Sequence, residues 1–270
     1  MRAVGAMLAY SARKMRALML AVAALLAALQ VLLVFSARSL QEMDTFPKFM
    51  ELIPDFLRQI FGPSLLTMMS FRGIACLAYF HVAILSVLVG LMIAIATEPA
   101  GEAETKFLDL ILSHPLARHW IIIRSVILLI LCSALVLGAM MLGMRIGFKW
   151  LMAEDLGAAT FEVVPTLTLN LGLLLLSWGA IALAWTTATK RRSVAASVTA
   201  MIAMTSYMVD LISQVWKPLE PFARYSPFHY YQPLNLITGS TNAGHDMRIL
   251  LFISAGGFLL AWLVFRQRDL

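Results

Sequence analysis

The residues that could do chemistry in this chain fall into two groups. The first is a charged stretch at 98–124, flanked by long apolar runs. Glu98, Glu102, Glu104, Lys106 and Asp109 crowd its first half, and Pro115, Arg118, His119 and Arg124 its second. Phe107, Leu108, Ile111 and Leu112 recur between them at helical spacing, which predicts a short helix with one apolar and one charged face. Glu102 and Lys106 stand at i,i+4 in the order that favours a helix, and Pro115 ends it near Ser113 or His114. A solvated connection between two membrane helices would carry the same charges.

The second group lies inside the apolar runs. His81 is ionisable and near the middle of one of them, so a proton relay or metal ligand is weighed first. No second His, Cys or carboxylate lies in reach on the same helix. A neutral histidine bonded to a neighbouring helix is the better expectation. Two stripes of small and hydroxyl residues follow helical spacing. One holds Cys76, Tyr79, Ala83, Ser86 and Gly90, and His81, about 200° round the helix from Tyr79, lies off it. The other holds Thr199, Ala203, Ser206, Asp210 and Ser213, with Tyr207 alongside. Small residues let helices approach closely in lipid, so the stripes either pack helices or line a pathway. Cys76 and Cys132 fall inside apolar runs and read as packing residues, not a disulfide framework.

The elements that position these residues are membrane helices. The chain has 270 residues, of which 61% are hydrophobic and 13% charged, with a mean hydropathy of +0.84. That composition excludes a soluble globular domain. Apolar runs near 17–35, 74–96, 121–144, 167–188, 194–215 and 249–265 reach, or nearly reach, the ~20 residues a bilayer crossing needs. Backbone groups in lipid must bond within their own segment, so the fold class is all-α, one membrane domain of six spans.

Orientation follows the positive-inside rule. With a cytoplasmic N-terminus, the inner segments hold Arg2, Arg13, Lys14, Arg16, Lys106, Arg118, Arg124, Lys190, Arg191, Arg192, Arg266 and Arg268, against only Glu98, Glu102, Glu104, Asp109 and Asp269. The outer segments are close to neutral. Both termini are therefore expected in the cytoplasm, and the basic balance needs no nucleic-acid partner. Residues 1–16 combine Val4, Met7, Leu8 and Met15 with Arg13, Lys14 and Arg16, which suits an interfacial amphipathic helix before the first span. The following apolar run is long for a cleavable signal peptide, so none is expected, although Ser36-Ala37-Arg38 would suit cleavage. In 38–72, Phe46, Phe49, Met50, Ile53, Phe56, Leu57 and Ile60 repeat at three and four between prolines, predicting short interfacial helices. Residues 216–248 mix Pro218, Pro221, Pro227 and Pro233 with Phe222, Tyr225, Phe228, Tyr230 and Tyr231, predicting a re-entrant pair of short helices at the outer interface.

Several classes are unsupported. No phosphate-cradling G-x-x-x-x-G-K-[ST] run occurs, nor H-E-x-x-H, nor G-x-S-x-G. The span centres lack the carboxylates of a proton- or sodium-driven carrier. The chain alone is not expected to be an enzyme or to carry a cofactor.

Leu112, Ser113, Pro115 and Arg118, with Glu102 and Glu104 upstream, resemble the loop after the second membrane helix in permeases of type-2 ABC exporters. There the pattern is an acidic cluster, a leucine-rich turn, then Leu-Ser-x-Pro-x-x-Arg; that family often has Gly-Thr where this chain has Lys106-Phe107. Tyr225-Ser-Pro-Phe-His-Tyr230 resembles the family's Ser-Pro-Phe motif, and the Arg-Asp-Leu270 tail its C-terminus. The resemblance implies a coupling helix in which Glu102, Glu104, Lys106, Asp109, Ser113, His114, Pro115 and Arg118 meet a cytoplasmic ATPase. It also implies two ATPase copies carrying ATP and magnesium, a second permease subunit, residence in the inner (plasma) membrane, and Tyr79, Ser86, Thr199, Ser206, Tyr207 and Asp210 along the substrate path. Other readings of the same residues are a polytopic membrane enzyme or maturation factor, or a sensor whose inner loop binds another cytoplasmic partner.

Overall fold

Residues 2–42 contain no proline and are rich in Ala, Leu and Met, so nothing interrupts helical hydrogen bonding. A computed structural model describes residues 2–42, 67–68, 70–105, 119–151, 160–189, 191–239 and 243–267. In it the first stretch is one helix of 41 residues, α1 (Arg2–Glu42). At 1.5 Å per residue that is about 60 Å, twice a hydrocarbon core. The separate interfacial helix expected at 1–16 is thus the first turns of the same rod. Amphipathic composition sets a face, and no residue there sets a break.

Among the described residues the remaining elements are also helical: α2 (Phe71–Ala75), α3 (Leu77–Phe80), α4 (Val82–Ala96), α5 (Glu98–Glu104), α6 (His119–Leu151), α7 (Val164–Ala188), α8 (Arg192–Ser213), α9 (Glu220–Ala223), α10 (Pro233–Thr238) and α11 (Ala243–Gln267), with 3-10 turns at Lys217–Leu219 and Pro227–Tyr230. Among the described residues, five helices are long and apolar enough to cross a membrane, namely α1, α6, α7, α8 and α11, and α4 with α5 makes a sixth such element bent by 42°. This is the architecture of a multi-pass membrane protein.

Two crossings hold the long helices together through small residues. Gly143 of α6 meets the backbone of α1, where an added Cβ would lie 2.4 Å from the Ala27 carbonyl oxygen. On α7 and α11, Ser177 Oγ lies 3.0 Å from both the Leu250 carbonyl and Ser254 Oγ, and Gly257 faces Ala180. Hydroxyls and glycines replace hydrophobic attraction where lipid is the solvent.

The run at 74–96 is not the single helix its hydropathy predicts. It breaks at Cys76 and again at His81, whose backbone is extended (φ −69°, ψ 124°). His81 is the N-cap of α4, its Nδ1 accepting from the Ala83 amide at 3.3 Å. It therefore bonds its own chain, not a neighbouring helix, and the 200° offset from Tyr79 does not apply across the break. Replacing His81 with Ala removes the cap and should cost about 1 kcal/mol, whereas Asn, an equally good cap, should stay near the parent. Thermal melting in detergent reads the difference.

The expected interfacial repeat from Phe46 to Ile60 lies outside the described residues. Among the described residues between α8 and α11 the chain makes four short helical pieces, more than the expected pair.

Candidate functional site

Thr97 turns the chain after α4, its hydroxyl donating to the Ile93 carbonyl at 2.9 Å. Pro99 stands in the first turn of α5, where its missing amide costs nothing. Glu98 opens the helix, the end at which an anion is favoured. The resulting seven-residue helix carries three acids, which between them reach α1, α6 and α8.

Glu98 is buried and receives the Lys14 ammonium from α1, while Arg192 Nη2, at the start of α8, stands 3.5 Å from its other oxygen. Glu102 accepts two hydrogen bonds from Arg124 of α6, at 3.0 and 2.6 Å. The side chains of that pair are 3% and 2% exposed, so this is a bidentate ion pair out of reach of water. Glu104 is exposed and accepts the Arg192 backbone N–H at 3.1 Å. Arg192 also donates to the Ala94 carbonyl of α4 at 3.2 Å. The helix after the bend is thereby tied to the first turns of α6 and α8 and to α1 near Lys14.

This differs from a solvated acidic face. Glu102 turns inward to Arg124, and Lys106, its expected partner, lies outside the described residues, as do Asp109, Ser113, His114, Pro115 and Arg118. The sequence reading named Glu98 and Arg124 in the charged stretch, Lys14 in the amphipathic segment and Arg192 among the inner charges, but paired none of them. Two signals pointed to them: Glu98 and Glu102 share a face at i,i+4, and Arg124 is a lone arginine inside the apolar run at 121–144.

No family model matches this chain, and no curated protein matches it.

The two stripes separate in space. Tyr79 is fully buried, its hydroxyl 3.1 Å from Thr168 Oγ1 of α7 and its carbonyl accepting from the Tyr231 hydroxyl. Burial pushes the Tyr231 phenol well above its usual 10, so it stays a donor. Ser86 lies past the break on an exposed face and donates to the Val82 carbonyl at 2.8 Å. Tyr79 and Ser86 thus do not form one surface. On α8 the stripe faces the bundle. Thr199 is buried and bonds its own Ala195 carbonyl at 2.8 Å. Further along, the 3-10 turn Pro227–Tyr230 covers the stripe. The Ser206 carbonyl accepts from Ser226 Oγ at 3.3 Å, Tyr207 meets Phe228 edge-on at 5.3 Å, and Asp210 Oδ1 is 3.3 Å from His229 Nδ1. Phe228 also lies against Trp178 of α7 at 5.3 Å. Spacing revealed the face but not its occupant: Trp178 was missed, as was Thr168 beside Tyr79, and His229 had entered only as part of the Ser-Pro-Phe motif.

Among the described residues, no group of three or more His, Cys, Asp or Glu side chains is placed to hold a metal ion.

Proposed function

We propose that the chain is the permease subunit of an ATP-driven ABC exporter, oriented with both termini in the cytoplasm. Six spans, with α4 and α5 as a bent second one, form half of a pathway completed by a second permease subunit. Two ATPase subunits sit beneath and carry ATP and magnesium. The residues 216–239 form the outer re-entrant segment.

One observation carries this reading: α5, which leads directly into the segment resembling a coupling helix, is bonded to α1, α6 and α8 through Glu98, Glu102 and Glu104. A solvated connection needs no such anchoring. An element that receives force from an ATPase does, because displacement of residues 106–118 must reach helices that cross the membrane. Closure of the ATPase pair pushes this segment, and α5 passes the motion to α4, α6 and α8 as one body. Access then switches between the two sides of the membrane.

The test is purification from the native membrane, followed by reconstitution with the ATPase that comes with it. ATP-dependent transport in vesicles is expected, with hydrolysis that depends on this subunit. Replacing Asp109 with Ala, or the turn of Ser113, His114 and Pro115 with a Gly-Ser linker, should leave the subunit folded and the ATPase bound while transport falls at least ~10-fold, equivalent to ~1.4 kcal/mol of lost coupling. A purified complex with no nucleotide-hydrolysing companion would sink the reading.

A further inference from the structure

A cavity of about 440 Å³ opens beside α5, bordered by Tyr10 and Lys14 of α1, Gly101, Glu102 and Glu104 of α5, and Arg192 of α8. Its charges are matched but separated. Lys14 and Arg192 stand against Glu98 and Glu104, and Arg124 against Glu102, so no net charge is left to recruit a simple ion. Along α5, Lys14 stands at the first residue, Glu98, and Glu104 is the last, about 9 Å further on.

Unused hydrogen-bonding capacity remains at both ends. The Lys14 side chain is 50% exposed and can donate three hydrogen bonds, of which Glu98 takes one. Glu104 is exposed and accepts the Arg192 amide through one carboxylate oxygen. The stem of Arg192 lies against Gly101, where an added Cβ would be 3.0 Å from Arg192 Cδ, so glycine keeps this wall low. The fitting occupant has an anionic oxygen cluster for the Lys14 side and an N–H-bearing cation for the Glu104 side.

The level of the cavity names the source. Lys14 lies just before the apolar stretch of α1, and Arg192 is the first residue of α8. Both helices are long and apolar enough to cross a membrane. That boundary is where lipid headgroups lie, and a pocket there with separated positive and negative groups suits a zwitterionic one. We propose that this cavity binds the phosphoethanolamine headgroup of a membrane lipid, phosphate toward Lys14 and ammonium toward Glu104. The inference depends on α1 and α8 crossing the membrane and not on the exporter reading.

The experiment is native mass spectrometry of the full chain released from nanodiscs of equimolar phosphatidylethanolamine, phosphatidylcholine and phosphatidylglycerol. One phosphatidylethanolamine per chain should be retained, about tenfold over phosphatidylcholine, whose ammonium has no N–H, and over phosphatidylglycerol, which has no cation. Glu104→Gln should abolish that preference, and Lys14→Met should lower retention of all three lipids. Lys217→Gln, in the 3-10 turn beyond α8, should change neither. If Lys14→Met fails to fold, Glu104→Gln decides alone, since its amide oxygen still accepts from Arg192. Equal retention of the three lipids, or an unchanged preference in folded Glu104→Gln, would overturn the proposal. Displacement by millimolar glycerophosphoethanolamine would overturn the lipid as occupant and assign the cavity to a soluble headgroup instead.

Discussion

Replacing Arg124 with methionine should destabilise the protein by about 3–5 kcal/mol, the usual cost of stranding one partner of a buried ion pair. Glu102 is 3% exposed at its side chain and has two of its hydrogen bonds from Arg124, so the carboxylate has no water to fall back on. Relieving it means drawing α5 away from α6. The double variant Glu102→Met, Arg124→Met should recover most of the loss, because desolvating two charges consumes much of what their attraction returns. Thermal unfolding of the four proteins in detergent closes the cycle and yields the coupling energy. Lys14→Met provides the contrast. Lys14 is half exposed and Arg192 remains 3.5 Å from Glu98, so the cost should stay within about 1 kcal/mol. A loss at Arg124 as small as that at Lys14 would mean that water reaches the buried pair. The double variant also separates two roles: a stable protein that no longer couples hydrolysis to transport would assign the pair to force transfer and not merely to folding.

Which parts were legible follows from the range over which each feature is determined. Apolar runs announce themselves over some twenty residues, and the long helices α6, α7, α8 and α11 begin and end within a few residues of the runs at 121–144, 167–188, 194–215 and 249–265, apart from extensions of α6 and α11 by up to seven. The break at His81 depends on one residue's ψ angle. A histidine inside an otherwise apolar window barely lowers its hydropathy, so the run at 74–96 read as continuous. For Glu102 the local partner Lys106 is computable from helix geometry, whereas Arg124, 22 residues away, becomes reachable only through the path of the intervening chain. The α8 stripe shows the same limit. Thr199, Ala203, Ser206 and Asp210 mark the inward face, yet no spacing rule states that the turn at Pro227–Tyr230 would cover it.

The crossing of α1 and α6 bears the other large effect. Gly143→Ala should cost about 3 kcal/mol, at the upper end for overpacking, because the atoms in the way cannot step aside. The added Cβ would lie 2.4 Å from the Ala27 carbonyl oxygen and 2.8 Å from Ala27 Cα, both backbone. No rotamer change relieves a clash with backbone, so the two helices must part by about 1 Å, which forfeits much of the dispersion along their contact. One turn on, Gly147 faces the Val34 side chain at 3.0–3.3 Å, where substitution can be absorbed in part by side-chain movement and should cost less. Gly138 on the same helix has open space where its Cβ would be, and Gly138→Ala should stabilise by up to about 1 kcal/mol through helix propensity alone. Melting temperatures of the three single variants therefore rank Gly143→Ala lowest, Gly147→Ala next and Gly138→Ala highest. If Gly143→Ala and Gly138→Ala melt together, α1 does not cross α6 at this point, and the rod that carries Lys14 toward Glu98 must be held by other contacts.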